Sequence, residues 1–256
     1  MSKFETFKQL HQQATPLLLG NIWDVNSAKL FEAEGYKAIG VSSHAIANAW
    51  GYDDGEKLPF DILVQVAKRV AEVTTIPFTV DMEGGYSRSI EGITRNIHLL
   101  HDAGVVGINL EDTVVNGSSR ILRSIDEFQK TLSSIADHIS RNNLRLFVNV
   151  RTDGFLLGQP NALEETLARI NSYKNTGVDG IFVPCITDSN DISSVVDATN
   201  LPINVMCMPA LPGFDELTRL GVKRISMGPF LFSKVYGHAA ALAKSVINEN
   251  SLNSIL

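Results

Sequence analysis

Asp81 and Glu83 stand two residues apart at the end of a short aliphatic run. Glu111-Asp112 and Arg151-Thr152-Asp153 end two further runs of the same kind. Residues two apart on an extended strand share a side, so Asp81 and Glu83 are expected to project together while Met82 faces away. Carboxylates crowded into one mouth repel each other and resist ionisation unless a cation neutralises them. Hard oxygen ligands suit Mg2+ or Mn2+, and Mg2+ usually keeps several of its waters. Asp81, Glu83 and Glu111 are the expected metal ligands. The same acids could instead be solvated loop residues or partners of Arg151 and Arg88.

Other residues near these positions extend the chemistry. Arg151 carries a planar fork that suits a carboxylate or phosphoryl group, or a salt bridge to Glu111 or Asp153. Ser42, Ser43 and His44 offer hydroxyls and consecutive backbone N–H groups as an anion cradle. His44 is also a candidate acid–base group, with loop packing as its alternative. Gly84-Gly85 would let the backbone approach a substrate closely. Trp23 and Asp24 follow the first aliphatic run and are expected to contact the substrate, although Asp24 also suits the N-cap of a helix starting near Val25. Asp54, in Gly51-Tyr52-Asp53-Asp54-Gly55, reads on its own as a turn acid. Cys185 and Cys207 read as packing residues, with no basic partner in sequence to activate a thiolate.

Eight short runs can present these residues as strand ends: Pro16–Ile22, Ala38–Ser43, Pro77–Met82, Gly107–Glu111, Arg145–Arg151, Gly180–Pro184, Ile203–Cys207 and Arg224–Met227. They alternate with segments of helical period, which predicts βα units and a parallel sheet. Gly35, Gly104, Gly177 and Gly221 each sit where a helix would end in a left-handed C-cap before a strand. Eight such units within 256 residues predict one (β/α)8 TIM barrel spanning 1–256, with function gathered at the C-terminal strand ends. An apolar helix from about Phe230 to Asn248 follows the last strand, with surface enough for docking or oligomerisation.

Composition narrows the function. A formal charge of −6 without a Lys/Arg stripe disfavours nucleic acid. No apolar run approaches the ~20 residues of a membrane span. Two cysteines outside any CxxC pair suit a reducing compartment, and the N-terminus lacks the pattern of a signal peptide. A cytoplasmic protein is expected.

The ordered set Asn21-Ile22-Trp23-Asp24, Val41-Ser42-Ser43, Gly51-Tyr52-Asp53-Asp54, Asp81-Met82-Glu83-Gly84-Gly85-Tyr86, Gly107-Ile108-Asn109-Leu110-Glu111-Asp112 and Arg151-Thr152-Asp153 resembles the isocitrate lyase/phosphoenolpyruvate mutase superfamily. The resemblance runs in order from about residue 16 to 230. It implies a Mg2+-dependent enzyme acting on a 2-oxo acid through an enolate-like species. It also implies metal roles for Asp81, Glu83 and Glu111, a substrate-gripping role for Ser42, Ser43 and His44, anion binding by Arg151, and a part for Asp54 in the site. It further implies a homotetramer, often with the last helix exchanged between neighbouring barrels; a dimer is the other oligomer considered.

The departures narrow the reaction. The superfamily's lyases carry a Lys-Lys-Cys-Gly-His-type loop after the fourth strand, whose cysteine is the acid–base group. The corresponding stretch here is Thr113-Val114-Val115-Asn116-Gly117-Ser118-Ser119-Arg120, shorter and without Cys or Lys. Isocitrate and methylisocitrate cleavage is therefore not expected. The usual Asp-x-Asp-x-Gly is Asp-x-Glu-x-Gly here. Decarboxylation of an oxaloacetate-like acid asks least of the protein and is the expected reaction. The alternatives are P–C mutase or hydrolase chemistry on a phosphonopyruvate-like substrate, for which Asn116 only faintly echoes the longer loop, and a non-catalytic barrel that binds an oxo acid.

Overall fold

A computed structural model describes residues 1–117 and 119–256, apart from the side chain of Asn116. Ser118, in the segment after the fourth predicted strand, lies outside the described residues. The strands are β1 (Leu17–Ile22), β2 (Ile39–Val41), β3 (Phe78–Asp81), β4 (Gly107–Glu111), β5 (Thr113–Asn116), β6 (Ser119–Leu122), β7 (Phe147–Arg151), β8 (Gly180–Val183), β9 (Ile203–Met206) and β10 (Arg224–Ser226). The helices are α1 (Lys3–Leu10), α2 (Val25–Ala33), α3 (Ser43–Ala49), α4 (Phe60–Val73), α5 (Ile90–Asp102), α6 (Ile125–Arg141), α7 (Ala162–Tyr173), α8 (Ser189–Asp197), α9 (Phe214–Arg219) and α10 (Phe230–Glu249).

The predicted barrel is present. Its strands close in the order β1-β10-β9-β8-β7-β4-β3-β2, every pairing parallel, and each of the eight predicted runs supplies one of them. The four glycines at the helix ends lie at φ between +84° and +91°, the left-handed caps that their positions imply. Two elements were not anticipated. The 113–122 segment is a two-stranded antiparallel hairpin, β5–β6, separate from the barrel sheet. Ser42 begins a short helix rather than a loop, accepting a hydrogen bond from Ala45 N.

The barrel interior carries a polar layer that the sequence reading passed over. Asn149 donates to Asn109 Oδ1 at 2.9 Å and to Asn204 Oδ1 at 3.2 Å. Arg224 reaches Asn109 at 3.4 Å. Asn109 and Glu111, like Asn149 and Arg151, are two apart and so share the inner face. This amide layer forms the floor of the site. Burial pushes Arg224 down to about 9.

At the opposite end, α1 closes the barrel with Phe7 and Leu10, packed with Phe147. His11 stacks on Phe147 at 4.5 Å and hydrogen-bonds the Phe7 carbonyl at 2.8 Å. Burial, then the charge of Arg224, lowers His11 to about 3. The unfolded chain takes up that proton near pH 6.5 and the folded chain does not, so acid favours unfolding from pH 6.5 towards 3. Unfolding titrations of His11→Phe are expected to lose one proton's worth of this slope, about 1.4 kcal/mol per pH unit at most. An unchanged slope would show that His11 is not held neutral.

Candidate active site

The C-terminal ends of the barrel strands surround a cavity of about 170 Å3, the size of a small metabolite rather than of a dinucleotide. Asn21, Ser42, Ser43, His44, Asp54, Asp81, Arg120, Arg151 and Arg224 line its polar side. Leu156, Phe182, Pro184 and Met206 form an apolar wall. Sequence reasoning thus named much of the polar lining but missed Arg120 and Arg224.

Glu83 reaches this mouth by a route that strand alternation does not describe. The strand ends at Asp81, and Glu83 has φ +49°, which costs an L-residue about 1–2 kcal/mol. Its side chain is held by Glu56 N at 2.8 Å and the Tyr86 hydroxyl at 3.2 Å. Asp81 accepts from Ser43 Oγ at 2.8 Å. Thr113 Oγ lies 2.8 Å from Glu111 Oε1 and 2.9 Å from Asp153 Oδ2. A hydroxyl has one proton to give, so Thr113 donates to only one of the two carboxyls at a time.

The protonation states follow from burial and crowding. Burial raises Glu83 to about 7, with the charges of Asp54 and Asp81 adding to it. Burial also raises Asp81, against Arg151, and carries Glu111 well above the carboxylate range. Burial would raise Asp54 as well, but His44, Arg120 and Arg151 outweigh it and hold that acid low. Asp54 in turn raises His44, which is exposed at the rim with Nδ1 3.9 Å from the carboxylate.

Two guanidinium groups sit among these acids. Arg151 forks onto Asp153 through Nε at 2.6 Å and Nη2 at 3.2 Å, and its Nη1 lies 3.1 Å from Glu111. The salt bridges weighed for it are present while it lines the cavity. Arg120 comes down from the hairpin to contact Glu111, Thr113 Oγ at 3.1 Å and Asp54 at 3.1 Å. Even so, Asp54 Oδ1 is buried without a hydrogen-bond partner, and Glu111 Oε2 has only its ion pair with Arg151. Among the described residues, no three acidic, His or Cys side chains draw together as a ready-made ion cage.

Four residues expected at the substrate lie elsewhere. Asp24 caps α2, accepting from Ser27 N at 2.7 Å, and Trp23 packs edge-on against Phe232. A Cβ on Gly85, at φ +103°, would lie 2.9 Å from Ile93. On Gly84 it would crowd Glu56 and the Thr113 carbonyl. These glycines serve close packing of the β3 loop against α5 and the hairpin base, not approach to the cavity.

The frame around the mouth is tied by Asp112. Its carboxylate accepts from Asp153 N at 3.1 Å and Arg169 Nη1 at 3.0 Å, and its carbonyl accepts from Arg123 N at 2.8 Å. One buried acid therefore joins the end of β7, the helix α7 and the exit of the hairpin.

This arrangement has known relatives. The chain matches the phosphoenolpyruvate phosphomutase family over residues 7–247. It belongs to that family. Within the phosphomutase family's wider superfamily it is 32% identical to an uncharacterized protein of Mycobacterium tuberculosis, over 96% of this chain and 91% of that one. It is 28% identical to the oxaloacetate decarboxylase of Paraburkholderia xenovorans, over 79% and 70%. A crystal structure of a candidate phosphonomutase from Burkholderia cenocepacia superposes with a TM-score of 0.88 at 35% identity, covering 94% of this chain and 99% of that one. The resemblance seen in the ordered motifs is thereby borne out, and so is the barrel.

Removing Arg169 leaves Asp112 buried without its cation. Burial already lifts Asp112 to about 6 against the pull of Arg169. Arg169→Met is expected to cost roughly 3–5 kcal/mol in chemical unfolding near pH 8. The deficit should shrink as pH falls from 8 towards 6, because without the pull of Arg169 the variant's Asp112 takes up its proton at higher pH than the wild type's. A loss under about 1 kcal/mol at pH 8 would show that this pair does not hold the frame.

Proposed function

We propose that the protein is a divalent-metal-dependent lyase that decarboxylates a small, oxaloacetate-like 2-oxo acid through an enolate. The observation that carries this is the charge imbalance of the mouth. Asp54, Asp81, Glu83, Glu111 and Asp153 outnumber Arg120 and Arg151, the guanidiniums paired with them, and buried Asp54 Oδ1 has no hydrogen-bond partner. Such a donor set fits a hard cation, Mg2+ or Mn2+, held by Asp81, Glu83 and Glu111 with water completing its shell. Bound there, the cation would supply positive charge where an enolate oxygen develops.

The remaining work falls to the protein. Ser42, Ser43 and the Nη1 end of Arg151 hold the substrate's carboxylate, with Asp54 fixing His44 at the rim. When the C–C bond breaks, its electron pair passes into the enolate and CO2 departs. The wall of Leu156, Phe182, Pro184 and Met206 keeps bulk water from that carbon. His44, raised by Asp54, carries the proton that the carbon then takes up. Oxaloacetate decarboxylases among the relatives support this choice of reaction.

One observation favours a second reading. Three arginines, Arg120, Arg151 and Arg224, line the cavity, which suits a phosphonate dianion, and the Burkholderia cenocepacia relative bears a phosphonomutase name. P–C chemistry on a phosphonopyruvate-like acid is the alternative. We further propose a homo-oligomer covered through α10, whose twenty residues include none that is buried within its own chain.

Purified protein is expected to release pyruvate from oxaloacetate only with Mg2+ or Mn2+. Asp81→Ala should lower the rate by at least a hundredfold. Metal-independent turnover, or none with oxaloacetate and release of phosphate from phosphonopyruvate, would overturn the decarboxylase assignment.

A further inference from the structure

The metal position proposed above and the Arg120 guanidinium compete for the same acids. Arg120 touches Glu111, lies 3.1 Å from Asp54, 3.7 Å from Asp153 and 3.9 Å from Glu83. These acids come from four different segments of the mouth, and the guanidinium lies between them. Of the three expected metal ligands, only Asp81 lines the cavity; Glu83 and Glu111 are almost fully buried and are both reached by Arg120. The Arg120 guanidinium and a dication at these acids would both draw on Glu83 and Glu111 and would repel each other.

The element that carries Arg120 is built to move as a unit. Its two strands pair with each other and with no strand of the barrel, to whose acids it is tied by the side chains of Thr113 and Arg120. Its exit is pinned by Arg123 N on the Asp112 carbonyl, while its far strand is half-exposed at Ile121. Val115, which pairs with Arg120 across the hairpin, packs on Gly55, next to Asp54. A shift of the guanidinium would therefore be felt both in the hairpin and in the loop that carries Asp54.

We propose that Arg120 is a tethered counter-ion that holds the metal position of the carboxylate cluster and exchanges with the divalent cation, whose entry lifts the β5–β6 hairpin from the mouth. The proposal rests on the metal reading of the preceding subsection. Without the cation, Arg120 neutralises the cluster and buries Glu83 and Glu111. With it, those acids pass to the metal and the guanidinium is released toward the cavity or solvent.

Mn2+ binding to the full chain, followed by electron paramagnetic resonance at pH 8, tests this on wild type and Arg120→Gln. The variant is expected to bind Mn2+ at least tenfold more tightly, because the internal competitor is gone. In wild type, Mn2+ should speed amide hydrogen exchange in the hairpin strands while leaving the barrel strands protected, a readout that does not depend on the variant folding. Equal or weaker Mn2+ binding by Arg120→Gln, or hairpin exchange that slows with Mn2+, would overturn the exchange while leaving the metal reading intact. Absence of Mn2+ binding to either protein would overturn both.

Discussion

Like charges crowded in a poorly hydrated mouth govern this structure. Five carboxyl groups meet at the C-terminal end of the barrel, most of them buried, and burial alone raises Asp81, Glu83 and Glu111. At an effective dielectric near 20, two unit charges 4 Å apart interact by about 4 kcal/mol. No arrangement of five such acids survives near neutral pH without retained protons, arginines or a metal. Arg151 and Arg120 cover part of the charge, and burial and crowding shift Glu83 and Glu111 towards their neutral forms.

The fold can be followed outward from that constraint. Parallel strands bring acids from β3 and β4 beside Arg151 of β7, with β4 and β7 adjacent in the barrel. Below them the Asn109, Asn149 and Asn204 amides satisfy one another in a layer where hydrocarbon would leave the polar mouth unsupported. Beside them Asp112 binds three segments with one carboxylate and one carbonyl. The backbone concessions fall close by: Glu56, Glu83, Tyr86 and Cys185 all adopt positive φ around the site. Strain gathered in this way is commonly retained where geometry serves chemistry.

Much of the barrel was legible because its signals are local. Strands were marked by aliphatic runs and helix ends by glycines, and all eight barrel strands arose from the runs that predicted them. Asp81, Glu111 and Arg151 were legible because they are the last inward residues of strands. Arg120 was not, because its importance depends on a hairpin folding back over the mouth, and the turn signal Asn116-Gly117-Ser118 between β-branched runs was not read as one. Arg224 was hidden at the start of a strand, where a charged residue reads as solvent-facing. Asp24 and the Gly84-Gly85 pair misled in the other direction. Each has a residue type that suits a ligand, and each is engaged in capping or close packing instead. The amide floor could have been found by asking which residues lie two before Glu111 and Arg151.

The central claim is that these acids hold a cation which, with Arg151, receives the enolate of a 2-oxo acid. Oxalate has the shape and charge of such an enolate, so its binding by calorimetry is the most direct measurement. The account predicts that oxalate binds the wild-type protein with Mg2+ present and at least a hundredfold more weakly after chelation, with Arg151→Gln weak under both conditions. Oxalate affinity that is indifferent to Mg2+ would contradict it.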